Sequence, residues 1–245
     1  MGFLFQVIGV LCLLFLLFIV VVILIIKSKL QKALQSFGGG GSANTPMTIH
    51  LVKRGAIEWN HPDDAKKMIE PLIKFGFTPI GDFEIREMAG TKLVALSHAG
   101  NNSYAVVYEH PIAGTWADIY CRYKEGQELK GCTYSNVHHA GAGQVDVQPN
   151  RKSVKIPNLD IDSLFQRFIN ERPAYELEAV DPDNFATLFE KSYADEMLWR
   201  KSRGGATEDE IRRVAAATGH EVDEEKVKIV QQRMQQRMEE APPAT

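Results

Sequence analysis

Two constellations in this chain hold residue types that could do chemistry. His98, His110, His138 and His139 fall near the ends of extended runs, and Cys121 and Cys132 lie on neighbouring ones. Imidazole and thiolate are the ligands zinc prefers. Their spacing argues against a site, because no C-x-x-C or H-x-x-x-H occurs and both cysteines belong on a core-facing side. Adjacent His138 and His139 would also diverge if extended. The expectation is loop and surface histidines, with no metal and no cofactor.

The second constellation is Glu109, Trp116, Asp118, Tyr120 and Arg122, which alternate along two consecutive extended runs. Two-residue alternation puts them on one sheet face, where carboxylates, a guanidinium and aromatic rings could line a ligand pocket or form an ion-pair network under a helix. Farther on, Trp199 stands beside Arg200 and near Arg203, a combination suited to anchoring a protein partner.

Other motifs fall short of a catalytic reading. His139-Ala140-Gly141-Ala142-Gly143 lacks the third glycine, the Lys-Ser/Thr and the helix that would aim amides at a phosphate. There is no G-x-S-x-G nucleophile elbow, and neither cysteine has a histidine placed beside it by sequence. Asp195 and Glu196 are consecutive on a helical pattern, so they point about 100° apart. No catalytic residue is assigned.

These residues need a scaffold, and the pattern predicts an α+β one. Runs at 78–87, 92–98, 103–110, 115–124 and 129–135, joined by short Gly- and Asn-containing links, predict an antiparallel meander, with a sixth strand at 153–156 and a short strand at 47–53 leading in. A loop of two or four residues between 103–110 and 115–124 would place Tyr104, Val106, Tyr108, Ala117, Ile119, Cys121 and Tyr123 on the core face. Glu109, Trp116, Asp118, Tyr120 and Arg122 would share the other with Ala105 and Val107. A two-residue Gly126-Gln127 turn would set Cys121 opposite Cys132, at a hydrogen-bonded pair with diverging, reduced side chains.

Helices flank the sheet. Pro62, Asp63 and Asp64 open one that Gly76 stops, with a kink or break near Met68 forced by Pro71. Asp160 caps another, with Ile161, Leu164, Phe165 and Phe168 inward. A third starts after Asp181-Pro182-Asp183, a fourth at Thr207 with a capping box, and a fifth spans about 223–240. The fifth could dock on its own domain or on another chain.

Around this domain the chain has a second organising feature. Residues 2–26 contain no charge and, apart from Gln6, no strongly polar side chain; 21 of the 25 are Leu, Ile, Val or Phe. As a helix this stretch reaches ~37 Å, enough to cross a hydrocarbon layer of ~30 Å. Three features exclude a removable signal peptide: no basic n-region, an overlong apolar core and no small-x-small site after it. Lys27, Lys29 and Lys32 follow directly, and the first acid is Glu58, so the positive-inside rule puts the N-terminus outside and the domain in the cytoplasm.

The resulting division is a membrane anchor at 1–26, a Gly/Ser-rich tether at 27–46, an α+β domain at 47–204, C-terminal helices at 205–240 and a disordered tail at 241–245. Five of the 28 basic residues precede Glu58 and all 31 acids follow from it, so 58–245 carries a net charge of −8. That balance disfavours nucleic acid as a partner. The expected partners are the lipid bilayer and a protein, and the expected function is a non-enzymatic interaction module of a membrane complex. The rival is a membrane-tethered enzyme or small-ligand sensor built on the mixed polar and aromatic face.

Overall fold

Side chains that alternate in and out along the central runs build strands that pair in sequence order. The computed structural model of the protein describes residues 46–111, 113–179 and 181–240. The strands are β1 (Leu51–Arg54), β2 (Thr78–Ile85), β3 (Lys92–His98), β4 (Ser103–His110), β5 (Gly114–Arg122), β6 (Gly131–Ser135) and β7 (Arg151–Lys155). They form one sheet in the order β1-β2-β3-β4-β5-β6-β7. All neighbours are antiparallel except β6 and β7, which are parallel. The α+β class holds, but the sheet has seven strands and is mixed, where five or six antiparallel strands were expected. The long 136–150 connection explains the mixed pairing, because it returns the chain to the starting end of β6 before β7 begins.

Among the described residues, five helices accompany the sheet. The first, α1 (Pro62–Lys74), has Pro62 at its start and Asp63 and Asp64 in its first turn, as the helix dipole favours. It runs unbroken through Pro71, contrary to the expected break near Met68. The carbonyl that proline leaves unpaired belongs to the exposed Lys67, where water can serve it. In α2 (Ile161–Glu171), the Asp160 carboxylate accepts from the Ser163 N–H at 2.9 Å, and Ile161, Leu164, Phe165 and Phe168 are buried.

Helices α1 and α2 cover one face of the sheet, packing on Val94, Leu96, Ala105, Val107, Ala117, Ile119 and Tyr134. On the opposite face α3 (Phe185–Ser202) lays Phe185, Phe189 and Tyr193 over Phe83, Leu93, Tyr104, Val106 and Tyr108. Covered on both sides, β4 is buried from Ser103 through Glu109.

The chain then turns back through α4 (Glu208–Ala217), capped by the Thr207 hydroxyl, and α5 (Glu224–Glu240). Val227, Val230 and Met234 of α5 pack with Ala206 and Ile211, so the final helix docks on its own chain.

One register differs from expectation and moves a site residue. Ser103 pairs with Cys121, Tyr104 with Tyr120 and Ala105 with Ile119, and His110 with Gly114, leaving a three-residue loop at 111–113. A two- or four-residue loop would shift the pairing by one and turn β4 over relative to β5. The three-residue loop closes with the Ala113 N–H donating to His110 Nδ1 at 3.1 Å and with Gly114 at a φ of 76°. A Cβ on Gly114 would stand 2.9 Å from the His138 ring. Gly114→Ala should therefore cost about 1–3 kcal/mol in urea unfolding, and an unchanged midpoint would contradict this loop geometry.

The β5–β6 register does set Cys121 opposite Cys132, but through a wider loop than the two-residue turn. The Gln127 N–H donates to the Lys124 carbonyl, with Gly126 at a φ of 86°.

The hydrophobic segment 1–26, the tether up to residue 45 and the 241–245 tail lie outside the described residues. Among those described, no helix is long and apolar enough to cross a membrane.

Candidate functional site

The polar and aromatic cluster forms on the α3-facing side of β4 and β5. Direct cross-strand pairing stacks Tyr108 on Trp116, ring centres 4.7 Å apart, and Tyr104 on Tyr120 at 5.0 Å. The Tyr108 and Tyr120 hydroxyls are 2.6 Å apart, and Tyr120 donates to the Asp118 carboxylate at 2.7 Å. These three side chains make one hydrogen-bonded chain across two strands.

Burial dominates its electrostatics. It pushes Asp118 above its ordinary pKa despite hydrogen bonds from Ser135 and Tyr120, and it drives both tyrosines well above theirs, reinforced by the Asp118 charge. Near neutrality both hydroxyls keep their protons and act as donors. Asp118 Oδ1 is buried without a hydrogen-bond partner among the described residues. Lys155, on β7, has its pKa lowered by burial, while the Asp118 charge opposes that shift.

A carboxyl whose folded pKa is raised favours folding most below its unfolded value. That contribution is lost as the pH rises from 3.8 through the folded value. Asp118→Asn, which keeps an acceptor for Tyr120, should therefore gain stability relative to the unsubstituted protein as pH rises. Urea midpoints at pH 4 and pH 8 would test this, and a variant that gains nothing on the unsubstituted protein between the two would refute it.

The structure does not assemble all the residues expected here. Trp116, Asp118 and Tyr120 are together. Arg122 lies on the same face but is drawn to Glu178, its Nε donating at 2.8 Å. Glu109 is on the opposite face, a correction that follows from the three-residue loop. It is only 2% exposed and accepts from the Asn60 N–H at 2.8 Å and the His61 N–H at 2.7 Å. Lys92 Nζ lies 3.7 Å away. Its carboxylate therefore sits at the amino end of α1, whose own capping residue, His61, makes no side-chain cap bond.

Trp199 belongs to a separate cluster. Its ring is 4.7 Å from the Arg203 guanidinium and 5.7 Å from that of Arg200. The buried Arg200 donates to Glu196 at 3.1 Å, to Glu210 at 3.2 Å and to the Asp146 carbonyl at 3.0 Å. Arg203 bridges Asp146 and Glu210, and Arg213 also binds Asp146. Burial works against the Asp146 charge, but Arg203 and Arg213 hold its pKa below the ordinary value. This network ties α3, α4 and the 136–150 connection together. Sequence reasoning missed Asp146 and reached Glu210 only as part of the Thr207 capping box, because their ion-pair partners lie far along the chain or across a turn.

A cleft of about 480 Å³ opens beside β1, β2 and the 86–91 turn, lined by Val52, Arg54, Glu84, Arg86, Thr91 and Lys92 among others, and by none of the expected site residues. Among the described residues, no group of three or more His, Cys, Asp or Glu side chains is placed to hold a metal ion. Set against known proteins, the chain matches no family model, no curated protein and no solved structure.

Proposed function

We propose that this chain is a single-pass membrane-anchored protein whose α+β domain faces the cytoplasm and serves as a non-enzymatic interaction module, an accessory or scaffolding subunit of a larger membrane assembly. One observation carries the reading: the polar and aromatic face of β4 and β5 packs beneath α3, while the 480 Å³ cleft is lined by none of the residues expected to bind a ligand. A catalytic or sensing face needs open access for its ligand, and Phe185, Phe189 and Tyr193 pack over this one, leaving its four β5 side chains only partly exposed.

The anchor rests on the uncharged 2–26 segment, and its sidedness on Lys27, Lys29 and Lys32. A protein-facing surface is available where Leu198 is exposed beside Trp199 on α3. The acidic balance of 58–245 suits a protein partner better than a polyanion.

A small-ligand sensor is the second reading, favoured by the unpartnered Asp118 Oδ1 at the end of the tyrosine chain. Native mass spectrometry after mild detergent extraction separates the two. The interaction module predicts a stable complex heavier than one chain, containing another protein. A monomer carrying a small molecule would overturn that reading and support the sensor.

A further inference from the structure

The described cysteines, Cys121 and Cys132, have no part in the proposed function. They face each other across β5 and β6, both 2% exposed, with their Sγ atoms 2.6 Å apart and no bond between them. That is about half an ångström beyond a bonded S–S length of ~2.05 Å. Antiparallel pairing at a hydrogen-bonded position holds the Cα atoms ~5.5 Å apart, inside the ~4.4–6.8 Å window that a bridge spans without backbone movement. The thiols turn toward each other, where divergence was expected.

We infer that this pair is a peroxide-reactive modification site, at which Cys121 is oxidised first and Cys132 resolves it into a reversible cross-strand disulfide. In the first step Cys121 Sγ, as thiolate, attacks hydrogen peroxide: an S–O bond forms, the O–O bond breaks and hydroxide leaves to take up the thiol's proton as water. In the second, Cys132 Sγ attacks the sulfenic sulfur: the S–S bond forms, the S–O bond breaks and a second water leaves with the Cys132 proton. Two electrons pass from the sulfurs to one peroxide.

The contact between the thiols favours one thiolate over the other, and what stands beside Cys121 sets the order of attack. Hydrogen bonding from Cys132 draws Cys121 down to about 7, against burial, while the same contact pushes Cys132 up. Arg172 also favours the Cys121 thiolate. Ser103, paired directly with Cys121 on β4, carries a buried hydroxyl with no partner among the described residues, available to a sulfenic oxygen. Burial selects the oxidant, since a peroxide approaches water in size and a bulky alkylating reagent does not.

The test uses the full chain in mild detergent. It is titrated with hydrogen peroxide, unfolded, alkylated with N-ethylmaleimide and mapped by non-reducing peptide mass spectrometry. The expected product is a peptide pair joined through Cys121 and Cys132, lighter by two hydrogens and lost on adding dithiothreitol. The folded, unoxidised protein should resist N-ethylmaleimide at both positions. Cys132→Ser should trap Cys121 as a dimedone adduct, and Cys121→Ser should slow thiol loss at Cys132 at least about tenfold. Three results would overturn the inference: sulfinic or sulfonic acid without a bridge, a link through Cys12 of a second molecule, or no reaction at peroxide levels that bridge the urea-unfolded chain.

Discussion

Glu109→Ala is expected to destabilise the domain by about 3–5 kcal/mol, because it strips a buried carboxylate from three groups that depend on it. The Asn60 and His61 amides would lose their acceptor, and Lys92 would lose its countercharge at the amino end of α1. Lys92 would keep the Glu58 carbonyl and Asn60 Oδ1. Glu109→Gln retains one acceptor oxygen and should lose less. Urea unfolding of the three proteins checks this. Equal midpoints for all of them would mean that Glu109 is not what holds α1 against β4.

Phe185→Ala should cost a similar amount, about 3–5 kcal/mol, through loss of apolar burial and the cavity left behind. Phe185 is almost fully buried, with its ring 5.7 Å from Phe83, 5.5 Å from Tyr104 and 5.6 Å from Phe189. It is also the plug between α3 and the tyrosine chain. A void walled by those rings should stay dry and take up xenon or benzene, as apolar cavities do. A loss under about 1 kcal/mol, with no uptake, would place α3 off the sheet and reopen the ligand-sensing reading.

Much of this architecture is legible in the sequence. The bounds of β3 and β4 follow from turn residues on both sides, and the α2 face from its apolar spacing and the Asp160 cap. The Cys121–Cys132 pairing is legible from the parity of the loop between them, which a wider loop of the same parity preserves.

The β4–β5 pairing is not, because Gly114 reads as loop yet serves as the first strand residue in a left-handed conformation. A single residue of loop length decides which face Glu109 occupies, and with it whether five site residues stand together or four against one. The Arg200, Arg203 and Asp146 network is invisible for another reason: tertiary packing alone brings its members together, and no spacing rule links residues more than fifty positions apart. β7 pairs in parallel through a connection whose composition reads only as loop.

The proposed role depends on where the domain is held, and one measurement addresses that most directly. Sealed membrane vesicles of known sidedness, washed with alkaline carbonate and treated with protease from each side, report both retention and orientation. The anchored reading predicts full-length chain that survives the wash, an intact 1–26 segment by terminal sequencing, and digestion of the 46–240 domain only from the cytoplasmic face. Mature protein starting beyond Ile26, release by carbonate, or digestion from the outer face would contradict it.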